Sequence, residues 1–129
     1  MKRCLDTCAY SRLRQGHPRL QVCLEEADLL VLPVVVLGEL HAGFARGSRQ
    51  AENEAHLEAF LEVPGVRIQD VTWDIARRYG LLVGQLWQAG TPIPTNDLWI
   101  AATALELGAR LVTYDDHFRQ VPGLITEAP

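Results

Sequence analysis

The chain has 129 residues, 48% of them hydrophobic and 22% charged, with a formal net charge of −4 at pH 7. This size and composition predict one globular domain spanning residues 1–129, and the acidic balance argues against a general nucleic-acid-binding protein, whose surface is usually basic. The longest apolar stretch, residues 29–38, is too short to span a bilayer, and an acid at position 6 interrupts any signal-peptide run. We therefore expect a cytoplasmic protein that does not contact membranes, with its 3 cysteines reduced.

Short apolar segments alternate with longer amphipathic segments along the chain. Strands are predicted at residues 2–6, 29–31, 66–68, 110–112 and 124–125. Helices are predicted at residues 9–14, 19–26, 33–45, 50–61, 73–89 and 97–107. Ser48 and Thr72 are expected to cap the fourth and fifth helices, and Asn96 or Thr95 the sixth, which Gly108 should end. This alternation predicts an α/β fold with a central parallel sheet of about four or five short strands, flanked by helices in three layers.

Four acids lie beside apolar segments, where a carboxylate without a partner is unfavourable. They follow the first strand, interrupt an apolar helix, open the last helix and follow the strand at 110–112, and they are Asp6, Glu39, Asp97 and Asp115. No Lys or Arg occupies a matching position in these segments. A divalent cation is the simplest remaining counter-charge, so the acids predict metal-dependent chemistry.

Three of these acids should meet at one edge of the sheet. An open parallel sheet binds ligands outside the carboxyl ends of its strands, where Asp6 and Asp115 are expected. Asp97 belongs to the same edge because helices begin there, and the helix dipole favours its ionised form. Glu39 lies roughly 9 Å along its helix axis, so that helix must cross the sheet obliquely or project past its edge. Each acid alone could equally be a turn, helix-start or surface residue, and Asp116 competes with Asp115 for the fourth place.

The histidines show no spacing typical of metal-free acid–base ribonuclease chemistry. They are His17, His41, His56 and His117, the last within the turn predicted at residues 115–118. We interpret all of them as surface or structural residues.

The segments around the four acids resemble the motifs of PIN domains. Leu5, Asp6 and Thr7 resemble the first motif, and residues 33–43, with Glu39, resemble the second. Residues 90–102, with Asp97, resemble the third motif, and residues 111–118 and 121–124 the fourth. The motifs occur in order across essentially the whole chain, and within PIN domains they are similar to those of VapC, the toxin of bacterial and archaeal toxin–antitoxin pairs. Cys8 departs from the pattern, in which Asn or Ser is commoner.

The resemblance implies a Mg²⁺- or Mn²⁺-dependent endoribonuclease that hydrolyses RNA, with transfer RNA as one candidate target. Asp6 and Asp97 are then the first candidates for direct metal ligands, and Glu39 and Asp115 complete the site or orient water. The accessory candidates are Thr7, Thr113 and Asp116. Four arginines are candidate contacts for RNA phosphates, with a solvated helix face as the alternative interpretation: Arg12, Arg14, Arg46 and Arg49.

The resemblance also implies protein partners. Such toxins usually form homodimers and are neutralised by a small antitoxin whose tail enters the acidic cleft. One apolar set exceeds a single buried helix face and suits either a dimer interface or the core: Leu81, Leu82, Val83, Leu86 and Trp87. Two other functions stay open, a PIN-domain nuclease in RNA processing or maturation and a catalytically inactive protein-interaction domain.

Overall fold

A computed structural model describes residues 1–129 and contains one five-stranded parallel sheet flanked by helices. The strands are β1 (Lys2–Leu5), β2 (Leu29–Pro33), β3 (Val66–Gln69), β4 (Arg110–Val112) and β5 (Thr126–Glu127). Their order across the sheet is β3-β2-β1-β4-β5, and every neighbouring pair is parallel. The predicted α/β class and central parallel sheet are therefore confirmed.

Each predicted helix is present, with its ends within two residues of the predicted positions. The helices are α1 (Thr7–Arg14), α2 (Pro18–Glu25), α3 (Val34–Arg46), α4 (Gln50–Leu61), α5 (Trp73–Gln88) and α6 (Thr95–Leu107), and a 3₁₀ helix follows at Asp116–Gln120. Thr72 caps α5 as predicted, because its hydroxyl oxygen accepts the backbone N–H of Ile75 at 3.2 Å. Gly108 ends α6 in the left-handed conformation, with a φ of 65°, which glycine adopts without steric cost.

Two predicted helix caps are wrong. Arg49, rather than Ser48, directly precedes α4, and its side chain makes no capping bond. Thr95 and Asn96 do not cap α6 because they already lie in its first turn, behind Pro94. A capping side chain must come from the residue immediately before the helix, from which it can reach the unpaired N–H groups of the first turn.

The last strand also differs from its prediction. It lies at Thr126–Glu127 rather than at residues 124–125, and Thr126 pairs with Leu111 of β4. A turn at Gly123, with a φ of 78°, precedes the strand, so the pairing with β4 begins only at Thr126. Leu124 instead packs against the hydrophobic core.

The strand order creates a crevice between β1 and β4. The chain passes from β1 to β2 and β3 on one side, then returns to β4 and β5 on the other. Because β-α-β crossovers are right-handed, this reversal places α1 to α4 on one face of the sheet and α5 and α6 on the other. Ligands of open α/β sheets bind at the carboxyl ends of the strands at such a switch point.

The core forms around β1 and α6. Leu5 on β1 and Ala101 and Ala104 on α6 have no exposed surface, and the small α6 side chains let that helix lie close to the sheet. The rings of Tyr79 and Trp99 stack with centroids 3.8 Å apart and join α5 to α6. None of the helices combines the length and the apolar character that crossing a bilayer requires.

Candidate metal centre

Asp6 lies where β1 ends and α1 begins, and it is 4% exposed. One of its carboxylate oxygens caps α1 by accepting the N–H of Ala9 at 2.8 Å. The other accepts a hydrogen bond from the hydroxyl of Thr113, just beyond β4. The carboxylate is therefore fixed across the carboxyl ends of β1 and β4, the neighbouring strands at the switch point.

Thr113 connects Asp6 to Asp115. Its hydroxyl oxygen donates to Asp6 and accepts the backbone N–H of Asp115 at 3.1 Å, and Thr113 is 3% exposed. Asp115 in turn precedes the 3₁₀ helix, where one of its oxygens accepts the N–H of His117 at 2.9 Å. Local backbone geometry after β4 thus orients both side chains.

Asp97 lies in the first turn of α6, and Glu39 lies on α3. Both line one groove together with Asp115 and residues 94–96. Glu39 is held there by the hydroxyl of Thr7, which donates to its Oε1 at 2.7 Å. Glu39 therefore lies in the same groove as Asp97 and Asp115. This is the position that the sequence analysis expected if α3 crosses the sheet obliquely or projects past its edge.

Burial and mutual repulsion disfavour the ionised acids. Burial raises the pKa of Asp6 above its usual value, its two hydrogen bonds oppose the rise, and the charges of Asp97 and Asp115 add to it. Burial likewise raises the pKa of Asp97, its contact with His117 opposes this, and the charges of Asp115 and Glu39 add to the rise. The four carboxylates therefore act on one another electrostatically.

The sequence analysis did not predict that the ring of His117 contacts the acids. Its Nδ1 lies 3.4 Å from Oδ2 of Asp97 and 3.2 Å from Oδ1 of Asp115. His117 is a surface residue, as predicted, with its side chain 51% exposed, but its ring also contacts two of the acids. The sequence did contain a signal for this contact. His117 follows Asp115 by two residues, and a side chain at that spacing can lie next to an acid that caps a short helix.

The remaining candidates divide between the groove and the surrounding surface. Asp116 points away from the acids, since its side chain is 85% exposed and pairs with Arg119 at 3.4 Å. Arg46 lines a groove that also contains Thr7 and Glu39.

The other three candidate arginines lie on α1 and just before α4. Arg12 lies over the ring of Tyr114, 4.1 Å from its centroid, and Tyr114 is the residue between Thr113 and Asp115. Arg14 lines a second groove, which shares Ser11 and Phe44 with the groove of Arg46, and Arg49 is the exposed residue that precedes α4.

The donor set fits a hard divalent cation. None of the four carboxylates has a Lys or Arg within ion-pair distance, and His117 is the basic side chain that contacts them. Carboxylate oxygens are the ligands that Mg²⁺ and Mn²⁺ prefer, and a cation relieves the repulsion between such groups. Asp6, Glu39, Asp97 and Asp115 are thus the candidate residues to hold one, and among them Asp97 and Asp115, together with His117, have ligand atoms within 4.8 Å of one another.

Known proteins are similar to this chain in both sequence and fold. Residues 3–124 match the family model of the PIN domain. Ribonuclease VapC2 of Rickettsia felis is 32% identical over 105 residues, which cover 81% of this chain and 77% of that protein. Ribonuclease VapC5 of Mycobacterium tuberculosis is 30% identical over 125 residues, covering 92% of this chain and 87% of that protein.

Solved structures agree with these sequence matches. A chain of the crystal structure of VapBC2 from Rickettsia felis, bound to a DNA fragment from its promoter, superposes with a TM-score of 0.86 at 30% identity, covering 98% of both chains. A chain of VapBC-1 from nontypeable Haemophilus influenzae gives a TM-score of 0.88 at 27% identity, covering 98% of this chain and 97% of that one. The chain therefore belongs to the PIN domain family and, within it, to the VapC ribonucleases of toxin–antitoxin pairs.

Proposed function

We propose that this protein is the toxin of a toxin–antitoxin pair and an endoribonuclease that depends on Mg²⁺ or Mn²⁺. One observation carries the proposal: four carboxylates meet at the switch point of the sheet without a Lys or Arg paired to any of them. Relatives named Ribonuclease VapC, similar over most of the chain, support the choice of RNA as substrate. We also propose the cytoplasm, where RNA is available, as the location of this activity.

The proposed roles of the acids follow from how each is held. Asp6 and Asp97 are the proposed direct ligands, with Glu39 and Asp115 completing the negative pocket. A bound Mg²⁺ or Mn²⁺ supplies an acidified water and neutralises charge on the leaving oxygen. The backbone N–H of Ala9 and the hydroxyl of Thr113 each donate to one oxygen of Asp6, and together they fix the orientation of its carboxylate.

Two of the candidate arginines have positions suited to holding RNA phosphates beside the acids. Arg46 shares a groove with Glu39, and Arg12 is held over Tyr114, next in sequence to Asp115. Such contacts position the RNA backbone and supply affinity without reading its sequence. Transfer RNA is one candidate target, and sequencing the new RNA ends after induced expression identifies the substrate.

Removing the metal tests the proposed chemistry. We expect the purified protein to cleave RNA in Mg²⁺ or Mn²⁺, to lose the activity in excess EDTA and to regain it when either ion is added back. Gel analysis of a radiolabelled RNA measures all three states. Cleavage that persists in EDTA would exclude the proposed role of the four acids.

Expression with and without the proposed antitoxin distinguishes a toxin from a nuclease of RNA processing. Solved relatives are VapBC assemblies, and the unpaired acids suit an entering Arg side chain, which satisfies the same charge deficit as a cation. We expect expression of this chain alone to arrest growth, and co-expression of its antitoxin to restore it. A nuclease of RNA maturation would leave growth unaffected in both cases, and an inactive interaction domain would bind no divalent ion.

We also propose that the exposed face of α5 forms the homodimer interface. Leu82 and Leu86 belong to the core, but Trp73, Leu81 and Trp87 on the opposite side of α5 are 79%, 63% and 77% exposed. Gly80 and Gly84 lie on this side and have open space beside them, which allows a second helix to approach closely. An apolar surface of this kind marks an interaction site.

A charge placed in this face should dissociate the dimer. We expect Leu81→Glu to weaken dimerisation at least about tenfold, since burying an unpaired carboxylate opposes association. Light scattering after size exclusion measures the mass, with Val22→Glu on exposed α2 as the matched control. A monomeric wild type, or a variant that remains dimeric, would rule out this interface.

A further inference from the structure

We propose that His117 is a nitrogen ligand of the divalent ion held by Asp97 and Asp115, and that it makes this centre prefer Mn²⁺ to Mg²⁺. The inference rests on the proposed metal-dependent function and adds a residue and a selectivity to it. It concerns a side chain in the segment that resembles the fourth motif, to which the sequence analysis gave no role in metal binding.

The first support is the distance between donor atoms. Nδ1 of His117 lies 3.2 Å from Oδ1 of Asp115 and 3.4 Å from Oδ2 of Asp97. One ligand atom from each of the three residues lies within 4.8 Å of the others. Neighbouring ligands of an octahedral ion with bonds of about 2.1 Å are roughly 3 Å apart. An ion can therefore be bound by these three residues with small side-chain adjustments.

The second support is the mismatch between one ring nitrogen and two acceptors. A single Nδ1 carries at most one hydrogen, yet it faces an oxygen of Asp97 and an oxygen of Asp115. A ring N–H directed at Asp97 makes no bond to Asp115, whose oxygen then has the backbone N–H of His117 as its donor. A cation between the three atoms accepts an electron pair from each, so it matches the arrangement better than a proton does.

The third support is the fixed backbone position of His117. The backbone N–H of His117 donates to Oδ1 of Asp115 at 2.9 Å, which ties the residue to its neighbouring acid. The next residue, Phe118, is 1% exposed and anchors the 3₁₀ helix Asp116–Gln120 in the core. The backbone of His117 is thus fixed beside the carboxylates, and its half-exposed ring reaches them through Nδ1.

The expected consequence is a change in metal preference. Imidazole nitrogen suits transition metals, whereas Mg²⁺ binds oxygen ligands almost exclusively. Replacing His117 should therefore weaken Mn²⁺ binding by at least about tenfold, as removing a supporting group from a metal site does. Mg²⁺ binding should change by less than about threefold, because all four carboxylates remain.

The experiment combines calorimetry with pulsed electron paramagnetic resonance on the full chain. Mn²⁺ and Mg²⁺ are titrated into the wild type, His117→Gln and the control His56→Gln, whose ring lies in a separate groove. We expect the Mn²⁺ spectrum of the wild type to show coupling to a histidine nitrogen, to shift after ¹⁵N-histidine labelling and to lose the coupling only in His117→Gln.

Each other outcome is informative. Mn²⁺ bound by the wild type without nitrogen coupling overturns the role of His117 but leaves the four-acid centre intact. Equal loss of Mn²⁺ and Mg²⁺ affinity in His117→Gln overturns the selectivity. Failure of the wild type to bind either ion overturns the proposed function as well. The wild-type spectrum decides the ligand question even where His117→Gln does not fold.

Discussion

Asp97→Asn is expected to reduce RNA cleavage by at least about a thousandfold while leaving the fold intact. A metal centre contributes several kcal/mol of transition-state stabilisation, and each 1.36 kcal/mol corresponds to about tenfold in rate. The amide keeps the shape of the side chain but removes the charge that holds the cation. Asp6→Asn should behave alike, because asparagine still caps the start of α1.

The matched control lies next to the site. Asp116→Asn changes the same functional group in the same segment, but Asp116 is exposed and pairs with Arg119 outside the groove. We expect its cleavage rate to stay within about twofold of the wild type, in line with the small effect of exposed ion pairs. Equal activity of Asp97→Asn and Asp116→Asn would contradict the proposed site.

Asp97→Asn should also stabilise the metal-free protein against unfolding. The pKa of Asp97 is raised in the folded state, first by burial and then by the neighbouring acids, so its ionised form opposes folding. A group with a raised folded pKa binds its proton more tightly when folded. Stability of the metal-free wild type therefore falls as pH rises from the ordinary aspartate pKa through the raised value. Asp97→Asn should melt higher than the wild type at neutral pH, and the difference should shrink in acid.

Glu127→Ala is expected to destabilise the fold by about 3 kcal/mol, the cost of leaving a buried charge without its partner. Glu127 on β5 accepts hydrogen bonds from Arg3 on β1, whose side chain is 6% exposed, and from Arg110 and the thiol of Cys23. The same guanidinium donates to the carbonyl of Cys23 at 2.8 Å. This network joins the last strand and α2 to the middle of the sheet.

The pH dependence of this network has the opposite sign to that of the metal centre. Burial acts to raise the pKa of Glu127, but hydrogen bonds from Arg3, Cys23 and Arg110 outweigh it, so the pKa lies below its usual value. The stabilisation is complete above the ordinary glutamate pKa and is lost as pH falls through the lowered one. Urea unfolding at pH 7 and at pH 3 therefore should show a smaller difference between wild type and Glu127→Ala at pH 3.

An exposed ion pair supplies the control for this experiment. Glu106 on α6 pairs with Arg78 on α5 at 3.0 Å, with side chains 31% and 41% exposed. Glu106→Ala should change the free energy of unfolding by less than about 1 kcal/mol. Equal effects of Glu127→Ala and Glu106→Ala would show that the buried network contributes no more than a surface pair.

Local patterns were sufficient to predict the elements of the fold. Alternating apolar strands and amphipathic helices gave the class, because each pattern reports which face of an element is buried. Asp6 and Asp97 could be assigned to one edge because strand ends and helix starts meet there in a parallel sheet. Thr72 was identifiable as a cap because its hydroxyl acts on the very next turn.

Features that depend on distant parts of the chain were not predictable. Arg3 and Glu127 are separated by 124 positions, so their pairing depends on the placement of β5 in the sheet. The contact of His117 with Asp97 depends equally on how α6 lies against the 3₁₀ helix. On α5, periodicity could not decide whether Leu81 or Leu82 faces the core, because the apolar run includes both.

The most direct test of the central claim is the melting temperature of metal-stripped protein with and without added Mg²⁺ or Mn²⁺. A cation that binds only the folded state raises the free energy of unfolding. Once the ion concentration exceeds the dissociation constant, this increase grows with the logarithm of the concentration. We predict a clear rise for the wild type and for Asp116→Asn, and none for Asp97→Asn. Identical melting of the wild type with and without either ion would contradict the account, because the four carboxylates would then not form a cation site.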